Sequence, residues 1–319
     1  MKKTSISAAQ SPPPTRGVGS RERRTPPLLR ALVPYTFVLP AALFLLAMVA
    51  YPVFFNIRMS FQDLKAINLL GGDAPFVGFA NYARIFTDPL FGQVVRNTLL
   101  FTVGSLVFQI SIGLALALFY NRPFPGSLVM RGLYLIAWTI PVLVVGAVFR
   151  WMLDGQVGLI NWALRGLGMV EGNVFWLSDP NLALGAVTFI NIWLGVPFNM
   201  ALLLAGLQGI PHELYEAADI DGASKSSKFW HITLPILRPA LFAVGLLGLI
   251  YTFKVFDLIW VTTGGGPVNA THVLSTVAFQ MVFQQFSFGP GAAVLNTLFV
   301  VLFFVSLLYL WTTAREEAL

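Results

Sequence analysis

The sequence contains no cysteine and few charged residues. Without cysteine, disulfides, thiol catalysis and cysteine-based zinc sites are excluded. Asp, Glu, Lys and Arg make up 11% of the 319 residues, whereas about a quarter is usual in a soluble domain. The histidines His212, His231 and His272 lack metal-ligand spacing, and no Ser-His-Asp arrangement or paired carboxylate is found. We therefore expect no metal site and no catalytic residues in this chain.

The sequence is instead rich in long apolar runs. Hydrophobic residues make up 56% of the chain, and the mean hydropathy is +0.75. A helix needs about 20 such residues to cross the hydrocarbon core of a bilayer. Runs of this kind lie at about 35–57, 98–118, 133–151, 182–207, 240–262 and 292–311. The sequence thus predicts a multi-pass, all-α membrane protein with six transmembrane helices in one domain, residues 31–319.

Basic residues predict the orientation of these helices. Residues 1–30 combine Lys and Arg with Ser, Pro and Gly and have no apolar face, which predicts a disordered tail. A cleaved signal peptide is the alternative, but the next apolar run is too long and lacks a clear cleavage site. Segment 263–291 has no Lys or Arg, so the positive-inside rule places both termini and segment 207–239 in the cytoplasm. The net charge of +6 is read as this topology signal, and no nucleic-acid partner is expected.

Segment 207–239 is a polar, charged island between two apolar runs. Pro211 suits the first turn of a helix, and Gly222 marks a break where the chain can turn. A second short helix is predicted at 225–234, ending at Pro235. Two short helices joined at a glycine form an amphipathic unit that suits docking into a groove of a partner.

The spacing in this segment resembles a known family. The residues that carry the resemblance are Glu216-Ala217-Ala218, Asp221-Gly222-Ala223, Ile232 and Leu234-Pro235. They are similar to the EAA loop of permease subunits of binding-protein-dependent ABC importers. The resemblance implies a cytoplasmic coupling helix in which Glu216 pairs with a basic group of an ATPase subunit and the small residues allow close approach. An ordinary surface loop is the alternative interpretation.

Two further stretches resemble the sugar-importing members of this family. Residues 78–82 are similar to the Gly-x-x-Asn-Tyr stretch before the second span, and residues 262–267 and 286–289 resemble permeases of the maltose and glycerol-phosphate type. From the residues alone, the aromatics at 79–86 predict a short interfacial helix that a glycine turn precedes. The glycines at 264–266 are not followed by Lys-Ser/Thr, so they indicate a sharp turn and not a phosphate loop.

The resemblance implies the type I ABC importer permease fold in the cytoplasmic (inner) membrane. Its implied partners are a second homologous permease, two ATPase subunits, an outer solute-binding protein and a carbohydrate substrate. The ATPase partners would use ATP and Mg²⁺, and this chain would bind no cofactor. Import of a glycerol phosphate stays open, as does a gradient-driven secondary transporter, although no internal repeat supports the latter. A membrane scaffold whose loop recruits a partner is a third possibility.

Polar groups within the predicted spans are candidates for the substrate pathway, because they are costly in lipid and usually face a cavity. They are Asn191, Trp193 and Asn199 in the fourth span, and Tyr251, Lys254, Asp257 and Trp260 in the fifth. Asn191 and Asn199 are about two helical turns apart and are expected on nearly one face of the fourth span. The four residues of the fifth span are expected along one side of its helix. Amides, carboxylates and aromatic faces suit a sugar. A Lys254–Asp257 ion pair and interhelical amide bonds are the equally supported alternative.

Three other polar residues and one proline stretch have structural interpretations. Gln109 in the second span and Asn296 with Thr297 in the sixth predict interhelical hydrogen bonds. Residues 138–141, Trp-Thr-Ile-Pro, predict a kink in the third span that could shape the transport pathway.

Overall fold

The computed structural model describes residues 27–69 and 74–316. Most of the predicted tail, residues 1–26, lies outside the described residues, as do residues 70–73 and 317–319. Within the described ranges the chain is helical, and its β-structure is limited to isolated bridges.

The α-helices follow one another with short connections. They are α1 (Pro27–Leu45), α2 (Tyr51–Ser60), α3 (Ala66–Leu69), α4 (Ala80–Thr87), α5 (Pro89–Tyr120), α6 (Ser127–Thr139), α7 (Val142–Met152), α8 (Leu159–Gly166), α9 (Ala183–Gln208), α10 (Glu213–Ile220), α11 (Lys225–Lys228), α12 (Leu234–Phe253), α13 (Asp257–Thr262), α14 (Leu274–Phe279) and α15 (Phe288–Glu316). Wider π-helical turns occur at Leu46–Ala50, Phe229–Thr233 and Gln280–Gln284.

The described residues fall into two compact units, which divide between Val53 and Phe54. In the first unit, α1 begins at Pro27, so residues 27–30 are helical where the sequence predicted the end of the tail. Proline is favoured in the first turn of a helix, where its missing N–H has no partner to lose. The boundary between tail and helix therefore lies earlier than expected.

Within the described residues, five stretches are long and apolar enough to cross a membrane. They are Tyr35–Ser60, Pro89–Tyr120, Ala183–Gln208, Lys225–Phe253 and Phe288–Tyr309. A sixth crossing results if α6 and α7 are counted together. The described helices are therefore those of a multi-pass membrane protein.

The third predicted span is broken rather than kinked. Helices α6 and α7 meet at 94°. Ile140, between them, has φ −70° and ψ 130°, the extended conformation that the ring of the following Pro141 favours. The predicted position of the bend is therefore confirmed, and the bend divides the predicted span 133–151 into two helices.

The fifth predicted span also differs from the sequence-based prediction. Helix α12 ends at Phe253, Lys254 leaves the helical region with φ −95° and ψ 7°, and a new helix begins at Asp257. The prediction that Tyr251, Lys254, Asp257 and Trp260 lie along one helix is therefore wrong. No proline or glycine marks the break, which is why the sequence pattern did not indicate it.

The polar island joins the following span without interruption. The sequence predicted a helix end at Pro235, but Lys225–Phe253 is one continuous helical stretch. The π-helical turn Phe229–Thr233 lies just before the proline. A proline ring clashes with the carbonyl four residues earlier in a regular helix, and the wider turn relieves this conflict. The same arrangement precedes Pro52, after Leu46–Ala50.

Helices α5 and α9 form the most extensive helix contact of the second unit. Gly113 of α5 lies so close to α9 that a Cβ there would be 2.8 Å from the Cβ of Asn199. Gly195 of α9 faces the side chain of Gln109, whose Nε2 donates to the carbonyl of Asn191 at 2.8 Å. The predicted interhelical bond of Gln109 is thus confirmed. It fixes the relative rotation of the two helices that carry the candidate site.

A polar network joins α2, α4 and α15. Asn296 donates to the hydroxyl of Tyr82 at 3.3 Å and accepts from Asn56 at 2.6 Å, so its predicted interhelical bonding is confirmed. Tyr82 in turn contacts Ser60 at 2.8 Å, and buried Asn81 donates to the Ser60 carbonyl at 2.8 Å. The Asn-Tyr pair of the predicted interfacial helix therefore has a structural role within the bundle.

Thr297 differs from its neighbour. Its hydroxyl donates to the Ala293 carbonyl of the same helix at 2.9 Å. The predicted interhelical bond of Thr297 is therefore wrong, because bonding to a preceding carbonyl satisfies a helical threonine locally.

Candidate substrate cavity and coupling loop

A cavity of about 430 Å³ lies where α5, α6 and α9 meet the break between α12 and α13. Its lining brings together Asn191 and Asn199 of α9 with Tyr251, Lys254 and Asp257 from either side of the break. The break itself creates this arrangement. Because the backbone turns after Phe253, groups that a straight helix would distribute along its length are directed to one cavity.

The two asparagines present polar atoms that the described part of the chain leaves unpaired. Asn191 is 6% exposed and its Nδ2 has no hydrogen-bond partner there. Asn199 is 1% exposed; its Nδ2 donates to the Gly195 carbonyl at 2.8 Å, and its Oδ1 has no partner. A buried polar group without a partner costs about 1–3 kcal/mol. One unpaired donor and one unpaired acceptor therefore lie buried on residues that line the cavity wall.

The two charged residues of the cavity do not pair with each other. Among the described residues neither Lys254 nor Asp257 forms an ion pair within 4.0 Å. The ammonium of Lys254 lies 5.3 Å from the ring centroid of Tyr251, a cation–π distance. The predicted alternative of a Lys254–Asp257 ion pair is therefore not found in this structure.

The two candidate tryptophans lie elsewhere. Trp193 packs edge-on against Phe149 at a centroid distance of 5.3 Å, and Trp260 contacts Phe256 and Phe279 at 5.5 and 4.7 Å. Neither residue lines the cavity. Both are packing residues, because the rotation of α9 and the break before α13 direct them to other neighbours.

Sequence reasoning missed several cavity residues. The sequence predicts an interhelical bond for Gln109 and a pathway-shaping kink at Trp138, and it places neither among the lining residues, yet both line the cavity. Phe198, stacked on Trp138 at 5.3 Å and perpendicular to Tyr251 at 6.3 Å, completes an aromatic wall. The proline of the third span was the available signal, since the bend at Pro141 lies beside the cavity-lining residues of α6 and α7.

The polar island ends its first helix with a Schellman motif. The N–H of Ala223 donates to the Ala218 carbonyl at 2.9 Å, and that of Gly222 donates to the Asp219 carbonyl at 3.1 Å. Gly222 has φ +75°, the left-handed conformation that this motif requires and that glycine adopts without strain. A Cβ at Gly222 would meet nothing within 4 Å, so the requirement for glycine is conformational.

Side-chain contacts then hold α10 against the start of the next helix. Lys228 forms an ion pair with Asp219 at 2.6 Å. The hydroxyl of Tyr215 contacts that of Thr233 at 2.9 Å. Ser224 caps α11 by accepting from the N–H of Ser227 at 3.2 Å. The loop is thus a defined two-helix unit joined directly to α12.

The remaining residues of the motif are accessible to a partner. Glu216, Ala217 and Asp221 are exposed, and Ala218 and Ala223 are half-buried. Glu216 contacts the Nδ1 of His212 at 3.0 Å, in an exposed pair that contributes little to stability. The arrangement leaves an acidic, small-residue surface on α10.

The ends of the spans opposite the polar island are called the distal end. There the glycine-rich loop, residues 263–273, is held against α5. Asn97 donates to the Ala270 and His272 carbonyls at 3.0 and 3.1 Å. His272 is buried and contacts the Thr276 hydroxyl at 3.0 Å through Nδ1. Burial lowers the pKa of His272 from its ordinary value of 6.5. The loop therefore packs around a neutral imidazole.

These features define the class of protein: a multi-pass helical membrane protein with a polar cavity between its helices and an exposed two-helix loop between two spans. Residues 109–316 match the family of binding-protein-dependent transport system inner membrane components, and the chain belongs to this family. It is therefore a non-catalytic permease subunit of an inner-membrane transport system that works with a binding protein. This membership does not support the scaffold or the gradient-driven transporter.

Two relatives show the extent of the similarity. The chain is 36% identical over 272 residues to the sulfoquinovosyl glycerol transport system permease protein SmoG of Agrobacterium fabrum, covering 85% of this chain and 87% of SmoG. It is 36% identical over 277 residues to the trehalose/maltose transport system permease protein MalF of Thermococcus litoralis, covering 86% and 92%. The similarity therefore extends over nearly the whole length of both relatives.

Solved structures show the same fold. A chain of a bacterial ABC transporter involved in the import of the acidic polysaccharide alginate matches with a TM-score of 0.77 and 22% identity, covering 90% of this chain and 97% of that one. A second structure, of the alginate transporter in complex with an alginate pentasaccharide-bound periplasmic protein, gives a TM-score of 0.76 at 22% identity, covering 91% and 96%. The predicted type I importer permease fold is thereby confirmed.

Proposed function

We propose that this chain is the permease subunit of an ATP-driven importer of a carbohydrate, and that the cavity beside α9 is its substrate site. The observation that carries the proposal is that Asn191 and Asn199 line one cavity and that each has one buried amide atom, Nδ2 of Asn191 and Oδ1 of Asn199, without a hydrogen-bond partner among the described residues. The relatives named for sulfoquinovosyl glycerol and trehalose/maltose transport support a carbohydrate.

The cavity chemistry suits a sugar in three ways. Asn191 offers a free N–H donor and Asn199 a free acceptor, which match the dual character of a hydroxyl group. Trp138 and Phe198 offer flat apolar surface for the C–H face of a pyranose ring. Asp257 accepts hydrogen bonds from hydroxyl groups without a competing ion pair among the described residues. A cavity of about 430 Å³ accommodates one or two sugar rings.

The orientation and partners follow from the loop. We place α10 in the cytoplasm, where its exposed acidic surface docks on an ATPase subunit, and the distal end outside, where the binding protein delivers substrate. One chain carries one such loop, so two permeases and two ATPases complete the motor, the second permease being a related chain. The ATPase subunits bind ATP and Mg²⁺, and this chain binds no cofactor.

A glycerol phosphate is the second candidate substrate. Lys254 is the cation that lines the cavity, and it has no ion-pair partner among the described residues. A single ammonium beside the carboxylate of Asp257 is a weak phosphate site, since phosphate binding usually uses several donors or an Arg fork. The amide and aromatic lining therefore favours a carbohydrate.

The test is purification of the complex from native membranes with its partners, followed by ATPase assays with the binding protein and candidate ligands. We expect an ATPase, a second permease and hydrolysis that a sugar-loaded binding protein stimulates. Stimulation by a glycerol phosphate in preference to sugars would contradict the substrate assignment. Isolation of this chain without an ATPase, in a form that transports on an ion gradient, would contradict the function.

A further inference from the structure

A second polar cavity, of about 350 Å³, lies at the distal end of the helices. It is separate from the substrate cavity and lies between the loop after α7 and the glycine-rich loop. Its lining includes Arg150, Asp154, Phe175, Ser178, Thr263 and Pro267. Its location and its mostly polar character distinguish it from a lipid-facing groove.

Both loops that form this cavity are held by buried polar side chains. Asn161, fully buried, donates to the carbonyls of Gly155 and Val174 at 2.8 and 2.9 Å. Thr271, also fully buried, donates to the Gly266 carbonyl at 2.7 Å. The cavity walls are therefore formed before any partner arrives. A preformed site binds with little ordering cost.

Arg150 gives this cavity an available positive charge. Its exposed guanidinium makes one long contact, from Nη1 to the Val261 carbonyl at 3.5 Å, and no ion pair within 4.0 Å among the described residues. Asp154 also lines this cavity, and its Oδ1 accepts from the N–H groups of Gln156 and Val157 at 2.8 and 2.9 Å. Among the described residues Asp154 forms no ion pair with Arg150 within 4.0 Å.

The family to which the chain belongs works with a binding protein, and this protein is the partner that we consider for the cavity. A transport system that depends on a binding protein must present a docking surface for that protein at its outer end. A free guanidinium in a preformed cavity is suited to a carboxylate, which it can bind with two parallel hydrogen bonds. We propose that this cavity receives an Asp or Glu side chain of the solute-binding protein, with Arg150 as its ion-pair partner. The proposal rests on the proposed orientation of the chain.

The experiment uses the assembled transporter in nanodiscs and its own ligand-loaded binding protein. ATPase rate is measured against binding-protein concentration for the wild type and Arg150→Gln. We expect the half-maximal concentration to rise about tenfold with an unchanged maximal rate, as is typical of a docking charge. Added NaCl should raise the half-maximal concentration more for the wild type than for the variant, because salt screens the pair.

Arg165→Gln is the matched control. Arg165 is another distal-end arginine, but its guanidinium donates to Asn173 at 3.0 Å, and we expect no change in the titration. If Arg150→Gln does not assemble, Ser178→Asp, which adds an anion to the same cavity, should produce the same shift. Superimposable titrations for the cavity variant and the wild type, or a lower maximal rate without a shift, would overturn the proposal. Absence of stimulation in the wild type would overturn the proposed function as well.

Discussion

Asn191 and Asn199 are the residues on which the proposed substrate site depends most. Their free atoms belong to nine-tenths-buried side chains, so each hydrogen bond to substrate replaces an unsatisfied polar group. Such a site discriminates strongly, because a ligand that lacks the matching hydroxyl leaves the amide unpaired. Lipid-facing amides would have no such role.

We predict that Asn191→Leu raises the apparent KM for uptake about tenfold, the effect of one lost hydrogen bond of about 1.4 kcal/mol. Thr188→Val is the control on the same helix. The Thr188 hydroxyl donates to the Leu184 carbonyl of that helix at 2.7 Å, and Thr188 does not line the cavity. Uptake kinetics in proteoliposomes, with chain abundance measured in parallel, check this. Equal KM values for both variants would remove Asn191 from the site.

The unpaired charges of the cavity allow a second test at this scale. We predict that Asp257→Ala weakens substrate uptake more than it lowers the amount of assembled complex, since among the described residues it forms no ion pair. A double-mutant cycle with Lys254→Gln on the thermal stability of the complex should be additive to within about 0.5 kcal/mol. A coupling of more than about 1 kcal/mol would show that the two charges pair with each other.

His272 makes the glycine-rich loop sensitive to pH. Burial lowers its pKa below 6.5, so the folded loop favours the neutral ring. Its contribution to stability is complete above the unfolded pKa of about 6.5 and is lost as pH falls through the depressed folded value. We predict that the hydrogen-exchange protection factors of residues 263–273, which correct for the pH dependence of the intrinsic exchange rate, fall on acidification, and less so in His272→Gln. An identical pH profile in the variant would contradict this.

At the scale of elements, the two-helix loop is the part that we propose couples an ATPase subunit to the substrate cavity. Helix α10 closes on Gly222 through a Schellman motif, and α11 continues through a π-helical turn into α12. The loop and the cavity are therefore connected by one helical stretch that ends at Phe253, beside Lys254. Movement of α10 by a partner would reach the cavity wall along this helix.

We predict that Gly222→Val uncouples ATP hydrolysis from uptake, while Gly222→Asn largely preserves coupling. The left-handed conformation costs about 1–2 kcal/mol for ordinary residues, and asparagine tolerates it better than a β-branched residue does. The open space around Gly222 rules out a steric cause within this chain. The ratio of substrate transported to ATP hydrolysed is the measurement, and equal ratios for the two variants would exclude the conformational explanation.

Glu216 provides the complementary test of docking. We predict that Glu216→Gln lowers coupling about tenfold or more, the effect of removing a charged group that pairs across an interface. His212→Gln is the matched control, because His212 is the residue that Glu216 contacts within this chain. If the two variants behave alike, the effect comes from the local pair and not from an ATPase partner.

At the scale of the whole molecule, the sequence predicted the class of fold because hydrophobic length and proline position are local properties. The apolar runs, the bend before Pro141 and the turn at Gly222 are of this kind. The break after Phe253 was missed, since no helix-breaking residue marks it. The inclusion of Gln109 and Trp138 in the cavity was missed because the packing of α5, α6 and α9 decides which face is inward.

The central claim is that this chain moves a carbohydrate by ATP-driven conformational change. The most direct measurement is uptake of a labelled sugar into proteoliposomes that contain the complete transporter, with ATP and Mg²⁺ on the ATPase side and the binding protein on the other. We predict uptake that requires ATP hydrolysis and survives collapse of the proton gradient by an ionophore. Uptake that continues without ATP and stops when the gradient is collapsed would contradict the account.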